Sequence, residues 1–428
     1  MVGGAVRDAL LNMPCKDVDL ECYGITPESI VNCLKDRYGI DFVGSSFGVM
    51  KVKHLDIDIA LPRTENKTGY GHKGFMVDLV PNLSFKDAAS RRDFTINAIM
   101  YDPLKNALID PWHGQEDLDK GILRHVSEHF VEDPLRVLRA MQFVARFKMT
   151  VAKETIQICS QMGQDELPPE RLAGEWEKLL LKGESPSLGL AFLKDCGWIR
   201  FYPELQSLID CKQTPVWHPE GDVWMHTLLC LDHASKLRTG NDDDDLVLML
   251  AVLCHDLGKP LTTFTRQDGK IVSPGHDTAG IEPAHSFINR IWRRNDLQER
   301  VLPLVEHHMK PAQLVKGNAG ERAYRRLALE VQRLDMLAKV ARCDVLSTGV
   351  DVENRLRDLE TFLKKAQSLD ISDKAPRPIL LGRHLLERGI KPGPQMGKIL
   401  KNAFEAQLDG DFNDLEGALK YLNLSADK

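Results

Sequence analysis

The 428-residue chain has no run of 18 apolar residues, so it lacks a segment that would cross a bilayer as a helix. Its start, Met1-Val2-Gly3-Gly4, has neither the basic region nor the apolar stretch of a secretory leader, and a cytoplasmic location is expected, with no membrane partner. Cysteine occurs at nine scattered positions but never as a Cys-x-x-Cys pair, which argues for reduced thiols rather than a disulfide framework or a zinc knuckle. An excess of basic residues is also missing. The net charge is −6 and the pI near 6.2, so nothing global advertises a nucleic-acid binder, although phosphate contacts depend on local clusters. What is present is 43% hydrophobic residues, enough for two to four domains with buried cores.

The densest chemistry lies in the first twenty residues. Gly3 and Gly4 have no Cβ, so a phosphate can approach the backbone N–H groups at the start of the helix that Ala5, Val6, Ala9 and Leu10 predict. Lys16-Asp17-Val18-Asp19-Leu20 then places two carboxylates one residue apart, and in a strand they project from one face. Hard oxygen ligands so placed suit Mg²⁺ shared with substrate phosphates. Either half alone has a bland account, a turn for the glycines and solvated strand polarity for the aspartates; together they read as a triphosphate and metal site.

Thr26 as N-cap and Pro27 at the first helical position predict a helix to Tyr38, followed by strands at 41–43, 47–54 and 56–60. Asp58 is the candidate third carboxylate beside the first two, with Asp56 and Asp78 behind it. The polar segment 63–82 reads as a mobile loop over the site. Beyond it, Arg91 and Arg92 can hold phosphate oxygens, and Asn97 can hydrogen-bond a sugar or base. Asp133-Pro134 is a helix start running to Phe147, with Arg136 and Arg139 on one face. A cap plus an i,i+3 ion pair is the purely structural account of Asp133 and Arg136.

Four motifs in this order resemble the class II tRNA nucleotidyltransferases, the CCA-adding enzymes: Gly3–Asp8, Asp17–Asp19, Arg91–Ala98 and Glu132–Ala140. The resemblance implies a catalytic head, then helical neck, body and tail. Asp17, Asp19 and Asp58 would be catalytic, with Mg²⁺ on Asp17 and Asp19. Gly3, Gly4, Arg7, Arg91 and Asn97 would bind the nucleotide, and Asp133, Arg136 and Arg139 would read the base without a nucleic-acid template. The partners implied are tRNA, CTP and ATP, with the chain a monomer or homodimer. Family members have most of a strand before the double glycine; here only Met1 and Val2 precede it, so a weakly supported glycine loop is expected. Bacterial poly(A) polymerases share the head, but Gly44-Ser45-Ser46-Phe47-Gly48 has the form of a CCA-adding enzyme. A tRNA-binding module with an inactive head is the other alternative.

Eight of the fourteen histidines lie between His218 and His308. His226, His255-Asp256 and Asp344 resemble the H…HD…D pattern of HD-domain phosphohydrolases, which implies these four as metal ligands, with His276 and His308 added. Imidazole with carboxylate suits Ni²⁺, Co²⁺ or Mn²⁺, able to activate water against a 2′,3′-cyclic or 2′-phosphate. The run Asp242–Asp245 reads as a solvated loop, and Arg290, Arg293, Arg294 and Arg300 as a charged helix face or a tRNA contact. The expected fold class is α+β: a small β-sheet head with helices (1–126), an all-α neck and body (127–214), an all-α HD domain (215–350) and a helical tail (351–428).

Overall fold

In the computed structural model, which describes residues 1–15, 17–43, 49–67, 75–164 and 167–423, the chain divides into two compact units, Met1–Phe201 and Tyr202–Lys428. The first opens with α1 (Gly4–Leu10), β1 (Val18–Glu21), α2 (Pro27–Leu34), β2 (Ile40–Val43), β3 (Val49–Val52) and β4 (Ile57–Ala60). Thr26 caps α2 by accepting from the Ser29 N–H, and the helix stops at Leu34, short of the expected Tyr38. The strands pair in the order β1-β4-β3-β2, with β1 and β4 parallel and the other pairs antiparallel. Alternation puts Met50, Val52 and Ile59 against Ile30 of α2. The opposite face carries Asp19, Asp58 and Lys51, side by side in the register.

The expected weakness of the glycine loop is met by a single residue. Val2 bridges Asp19 on one side and Met100 on the other, and its N–H donates to the Asp19 carbonyl at 2.9 Å. The Tyr101 N–H donates to the Met1 carbonyl, also at 2.9 Å, so the turn at Gly3 is held from both sides.

The segment read as an irregular loop contains a hairpin instead, β5 (Arg63–Lys67) with β6 (Phe75–Leu79). Antiparallel pairing satisfies backbone groups that an irregular loop would leave to water. Residues 44–48 and 68–74 lie outside the described residues, as do the side chains of 64–79, Asp78 among them. Then follow α3 (Phe85–Ser90), a 3₁₀ turn at Thr95–Asn97, β7 (Met100–Asp102), β8 (Ala107–Ile109), α4 (Gly114–Asp119) and β9 (Ile122–Leu123). The rest of the unit is helical apart from a short strand: α5 (Leu135–Phe147), β10 (Thr150–Val151), α6 (Lys153–Gln161), α7 (Pro169–Lys182) and α8 (Pro186–Asp195).

Helix α5 starts after Pro134, and Asp133 Oδ1 accepts from the Leu135 N–H at 3.1 Å. The expected Asp133–Arg136 ion pair does not form; other partners, described below, take both side chains. Apolar spacing in α5 buries Val137, Leu138, Met141 and Val144, and the helix packs on α7 and α8 beside buried Trp176, Leu179 and Leu190.

The second unit holds α9 (Pro203–Gln206), α10 (Val223–Ser235), α11 (Asp242–Cys254), α12 (Lys259–Thr262), a small β11–β12 hairpin (Phe264–Thr265, Ile271–Val272), α13 (His276–Ala279), α14 (Ile281–Ile291), α15 (Asn295–His307), α16 (Lys310–Lys316), α17 (Glu321–Val331), α18 (Leu334–Thr348) and α19 (Val352–Ser368). Helix α11 is buried on every side from Leu246 to Cys254, which makes it the central helix, with α10, α15 and α18 around it.

The acidic run expected as a loop is the first turn of α11. Carboxylates there offset the positive end of the helix dipole, Asn241 caps it, and Asp245 accepts from the Thr239 and Gly240 N–H groups. Arg300 and Arg333 bond Asp244, and Arg290 bonds Glu204 at 2.6 Å, so these arginines serve the charged-face role. The tail, α20 (Gly382–Leu386), α21 (Pro394–Asp409) and α22 (Leu415–Tyr421), has its own apolar cluster around Leu385, Ala403 and Phe412. Pairs Arg322–Asp409 (2.7 Å) and Arg326–Glu405 (2.8 Å) fasten it to α17.

Within the first unit Phe94 is wholly buried, edge-on to Phe130 and to Phe143 of α5 at 5.6 Å each. Phe94→Ala should cost about 3–5 kcal/mol, read as a lower denaturant midpoint for this unit; a change below about 1 kcal/mol would show that this contact does not dock α5.

Candidate functional sites

Parallel pairing of β1 with β4 sets Asp19 directly beside Asp58. Asp17 precedes β1 and is exposed, and Asp56 sits in the turn before β4. Partial desolvation raises the Asp19 carboxyl above its ordinary range, Asp58 and Asp17 add to the rise, and Arg92 opposes it. Carboxylates that repel in this way are stabilised by a shared cation. Asp58 meanwhile faces Lys51 Nζ at 3.5 Å. The groups of three ligand atoms within 4.8 Å of one another, among the described residues, all fall in the second unit, so the three head aspartates are neighbours rather than a closed cradle.

Asp19 stands at the edge of a cleft of about 280 Å³ lined by Gly3, Gly4, Arg7, Arg92, Asp93, Asn97, Arg139, Gln142, Phe143, Arg146 and Lys178. Gly3 has φ +71°, and a Cβ there would stand 3.1 Å from Arg92 Nη1 and 3.4 Å from Asp19 Oδ2, so only glycine fits. Buried Arg7 donates to Asn97 Oδ1 (2.6 Å) and lies over the rings of Phe143 and Phe147, at 5.1 and 4.8 Å. Asn97 Nδ2 donates to Asp93 Oδ1 (2.9 Å), whose other oxygen accepts from Arg139 Nε (2.7 Å) and Nη2 (2.6 Å). Burial alone would raise Asp93; Arg139, Asn97 and the Phe94 N–H outweigh it and hold the carboxyl below its usual range.

Of the remaining predicted residues, Arg91 pairs with Glu21 at 3.3 Å. Arg136 donates to the carbonyls of His129 and Arg91, both at 2.6 Å, and Asp133 pairs with Arg171 at 2.7 Å. Neither Asp133 nor Arg136 lines the cleft. Of the arginine pair read as phosphate-holding, Arg92 is the one that lines the cleft, its Nε buried without a hydrogen-bond partner; sequence reasoning missed Asp93, Arg146 and Lys178. The signal for Arg146 was its place two turns beyond Arg139 on the same helix.

In the second unit all six predicted ligands converge. His226 Nε2 lies 3.2 Å from Asp344 Oδ1 and 3.7 Å from Asp256 Oδ2; His255 Nε2 lies 3.2 Å from Asp256 Oδ2. His276 Nε2 is 3.5 Å from Asp256 Oδ1 and 3.3 Å from His308 Nε2. Backbone carbonyls fix the rings: Nδ1 of His255, His276 and His308 donates to the carbonyls of Val252, Ser273 and Val305 at 2.7–2.8 Å. His226 Nδ1 donates to Glu220 Oε1 at 2.7 Å. A carbonyl only accepts, so each Nδ1 keeps its hydrogen and each Nε2 is the nitrogen left for a metal. The Nε2 atoms of His276 and His308 face each other at 3.3 Å, where they can share a proton or a metal ion.

Gly258 allows this closeness, since a Cβ there would fall 2.0 Å from the His276 carbonyl oxygen. The cleft above, about 400 Å³, is lined also by Trp217, His218, Lys259, Lys316 and Arg355. Lys259 Nζ bonds Asp256 Oδ2 and Gln213 Oε1, both at 2.7 Å. Burial pushes imidazoles down, and His308 sits at about 4. For His255 the Asp256 carboxylate outweighs burial and pushes it up to about 10; His226 is raised likewise by Cys230, Asp344 and Glu220. Glu220, Lys259 and Cys230 were not predicted. Only the spacing of Cys230, four residues after His226, could have pointed to it.

A head with paired strand carboxylates at the edge of a cationic cleft, followed by a helical unit with an HD cradle, defines a nucleotidyltransferase joined to an HD domain. Residues 1–124 match the Poly A polymerase head domain family and residues 223–347 the HD domain family. The chain is 40% identical over 316 residues to the Multifunctional CCA protein of Aliivibrio salmonicida (strain LFI1238), across 72% of this chain and 74% of that one. Against the Multifunctional CCA protein of Methylobacillus flagellatus it is 40% identical over 319 residues, 73% and 74% of the two chains. It belongs to the family of multifunctional CCA-adding enzymes, and the resemblance drawn from the motifs holds. Its fold is shared with a CCA-adding enzyme in complex with CTP (TM-score 0.60, 20% identity, 100% of this chain and 91% of that one). The Thermotoga maritima CCA-adding enzyme complexed with tRNA also shares it (TM-score 0.59, 20% identity, 99% and 90%). Among the described residues no helix is long and apolar enough to cross a membrane.

Removing Asp93 strands Arg139, which is 32% exposed in its side chain. Asp93→Ala should therefore cost roughly 2–4 kcal/mol, less than the ~3–5 of a fully buried pair. Because the folded pKa is depressed, this stability is present above about pH 4 and is lost as pH falls through the folded value; an acid-unfolding curve unchanged in Asp93→Asn would contradict it. In the second unit, a metal must displace the protons held on His226 and His255. Adding Co²⁺ or Ni²⁺ to metal-stripped protein near pH 7 should release protons into a weakly buffered indicator, with affinity falling as pH is lowered. Uptake without proton release would show those imidazoles to be neutral beforehand.

Proposed function

We propose that the first unit adds C, C and A from CTP and ATP to the 3′ end of tRNA without a nucleic-acid template, in the cytoplasm. The observation that carries this reading is Asp19, in register with Asp58, lining a cleft with five cationic side chains. The 3′ hydroxyl oxygen attacks the α-phosphorus, the α–β bridge breaks and pyrophosphate leaves. Asp17 and Asp19, with Asp58, would hold Mg²⁺, which lowers the pKa of the attacking hydroxyl and neutralises charge on the leaving group. Arg7 and Arg92 face the glycine turn, and with Arg139, Arg146 and Lys178 they balance the triphosphate. Arg91 supports them through Glu21, and Asn97 holds Arg7 in place.

Base reading falls to Asp133 and Arg136, which must exchange their present partners, Arg171 and two backbone carbonyls, for a base edge. A donor and acceptor fork of this kind discriminates because the wrong edge leaves buried groups unpaired. The curated relatives favour this reading over a poly(A) polymerase and over an inactive module.

For the second unit we infer hydrolysis of 2′,3′-cyclic or 2′-phosphates at a transition-metal site of Ni²⁺, Co²⁺ or Mn²⁺. His226, His255, Asp256, His276, His308 and Asp344 would hold the ions, which supply activated water, while Lys259, Lys316 and Arg355 face the phosphate. With labelled CTP and ATP and tRNA lacking its CCA end, three added nucleotides are expected. A long A ladder would favour the polymerase, and no product the inactive module. Asp19→Ala should lose incorporation by at least about a thousandfold with an unchanged melting curve. His255→Ala should lose cyclic-phosphate hydrolysis and keep nucleotide addition; equal loss of both would argue against separate sites.

A further inference from the structure

Cys230 lies four residues after His226 on α10, so the two side chains leave the same face of the helix. Its Sγ is 3.3 Å from His226 Nε2. One ligand atom from each of His226, Cys230 and His255 lies within 4.8 Å of the others, and all three residues are buried. His255 Nε2 faces into the same group and lies 3.2 Å from Asp256 Oδ2.

A thiolate and an imidazole nitrogen bound to one ion at tetrahedral angles stand about 3.5 Å apart, given bond lengths of ~2.3 and ~2.0 Å. The observed 3.3 Å is close to that separation. An S–H···N hydrogen bond has a similar length, but it would occupy the one His226 nitrogen that also faces Asp344 Oδ1 at 3.2 Å and Asp256 Oδ2 at 3.7 Å. An ion among them answers all of these groups.

We propose that Cys230 is a thiolate ligand of the ion held by His226, His255, Asp256 and Asp344, giving a mixed nitrogen, oxygen and sulfur site. Such a site selects thiophilic divalent cations, Co²⁺, Ni²⁺ or Zn²⁺, over Mg²⁺ and Mn²⁺. As the metal–sulfur bond forms, the Cys230 S–H bond breaks and its proton passes to solvent. The inference rests on reading this cradle as a metal site.

The test uses the full chain with Cys15 and Cys33, the two exposed thiols, replaced by serine. Loaded with Co²⁺, it should show a thiolate-to-cobalt charge-transfer band in the near ultraviolet beside the visible d–d bands, and Cys230→Ala should lose the first alone. Visible bands without charge transfer, or charge transfer undiminished in Cys230→Ala, would overturn the assignment. Should the variant not fold or not take up cobalt, X-ray absorption of the unsubstituted Cys230 protein decides: a sulfur neighbour at about 2.3 Å supports it, and only nitrogen and oxygen neighbours refute it. Failure of that protein to take up Co²⁺, Ni²⁺ or Zn²⁺ at all would defeat the metal reading itself, and the inference with it.

Discussion

The first unit depends on one buried carboxylate. Asp93 accepts from Arg139, Asn97 and the Phe94 N–H, and through Asn97 it fixes Arg7 over two phenylalanines of α5. Each of these bonds is charge-assisted, or anchored to one that is, and the site is shielded from water, so the network is stiffer than its members would be singly. The consequence is geometric. The glycine turn, the strand carboxylates and the neck helix meet at a cleft whose cations are held before any phosphate arrives, which is the preorganisation that phosphoryl transfer rewards.

The second unit uses the same residue types in the reverse arrangement. In the head, carboxylates sit at the rim and cations line the cleft; in the HD cradle, Asp256 and Asp344 are inside and imidazoles surround them. The carboxylates raise His226 and His255 against their burial, while burial, and then the neighbouring imidazoles, lower His308. A site that titrates its own ligands in this way holds a place for positive charge. The backbone carbonyls of Val252, Ser273 and Val305 leave one nitrogen of each ring to fill it.

The short-range features were legible in the sequence. The Thr26 cap, the strand pair carrying Asp19 and Asp58, and the helix spacing of α5 follow from local rules, and the HD ligands were marked by their unusual density. What depended on tertiary partners was not. The acidic run at 242–245 reads as solvated because the cations that answer Asp244, Arg300 and Arg333, are distant in sequence. In the 63–82 segment the strand Arg63–Lys67 is wholly polar, so no apolar alternation announces its pairing with Phe75–Leu79. Arg91 and Arg92 read alike and Asp93 goes unmarked, because nothing in three adjacent residues says which one turns toward the glycines.

The contrast between Asp93 and Asp133 bears on how a protein can stand in for a template. Asp93 is only 8% exposed and accepts from two nitrogens of Arg139 and from Asn97, so removing its partners is costly in each cycle. The Asp133–Arg171 pair is about a third exposed, 29% and 34%, and an ion pair so solvated contributes within about 1 kcal/mol. Arg136, though tied to two carbonyls, loses little when water or a base replaces them. On the proposed reading, a selector that must serve both cytosine and adenine needs side chains that exchange partners cheaply. It also needs a neighbour that does not move, so that the exchange leaves the α-phosphorus in place. The neck supplies the first and Asp93 the second. If base selection instead ran through the fixed cations of the cleft, switching specificity would mean breaking the network that positions the triphosphate, and nucleotide choice could not change without loss of rate.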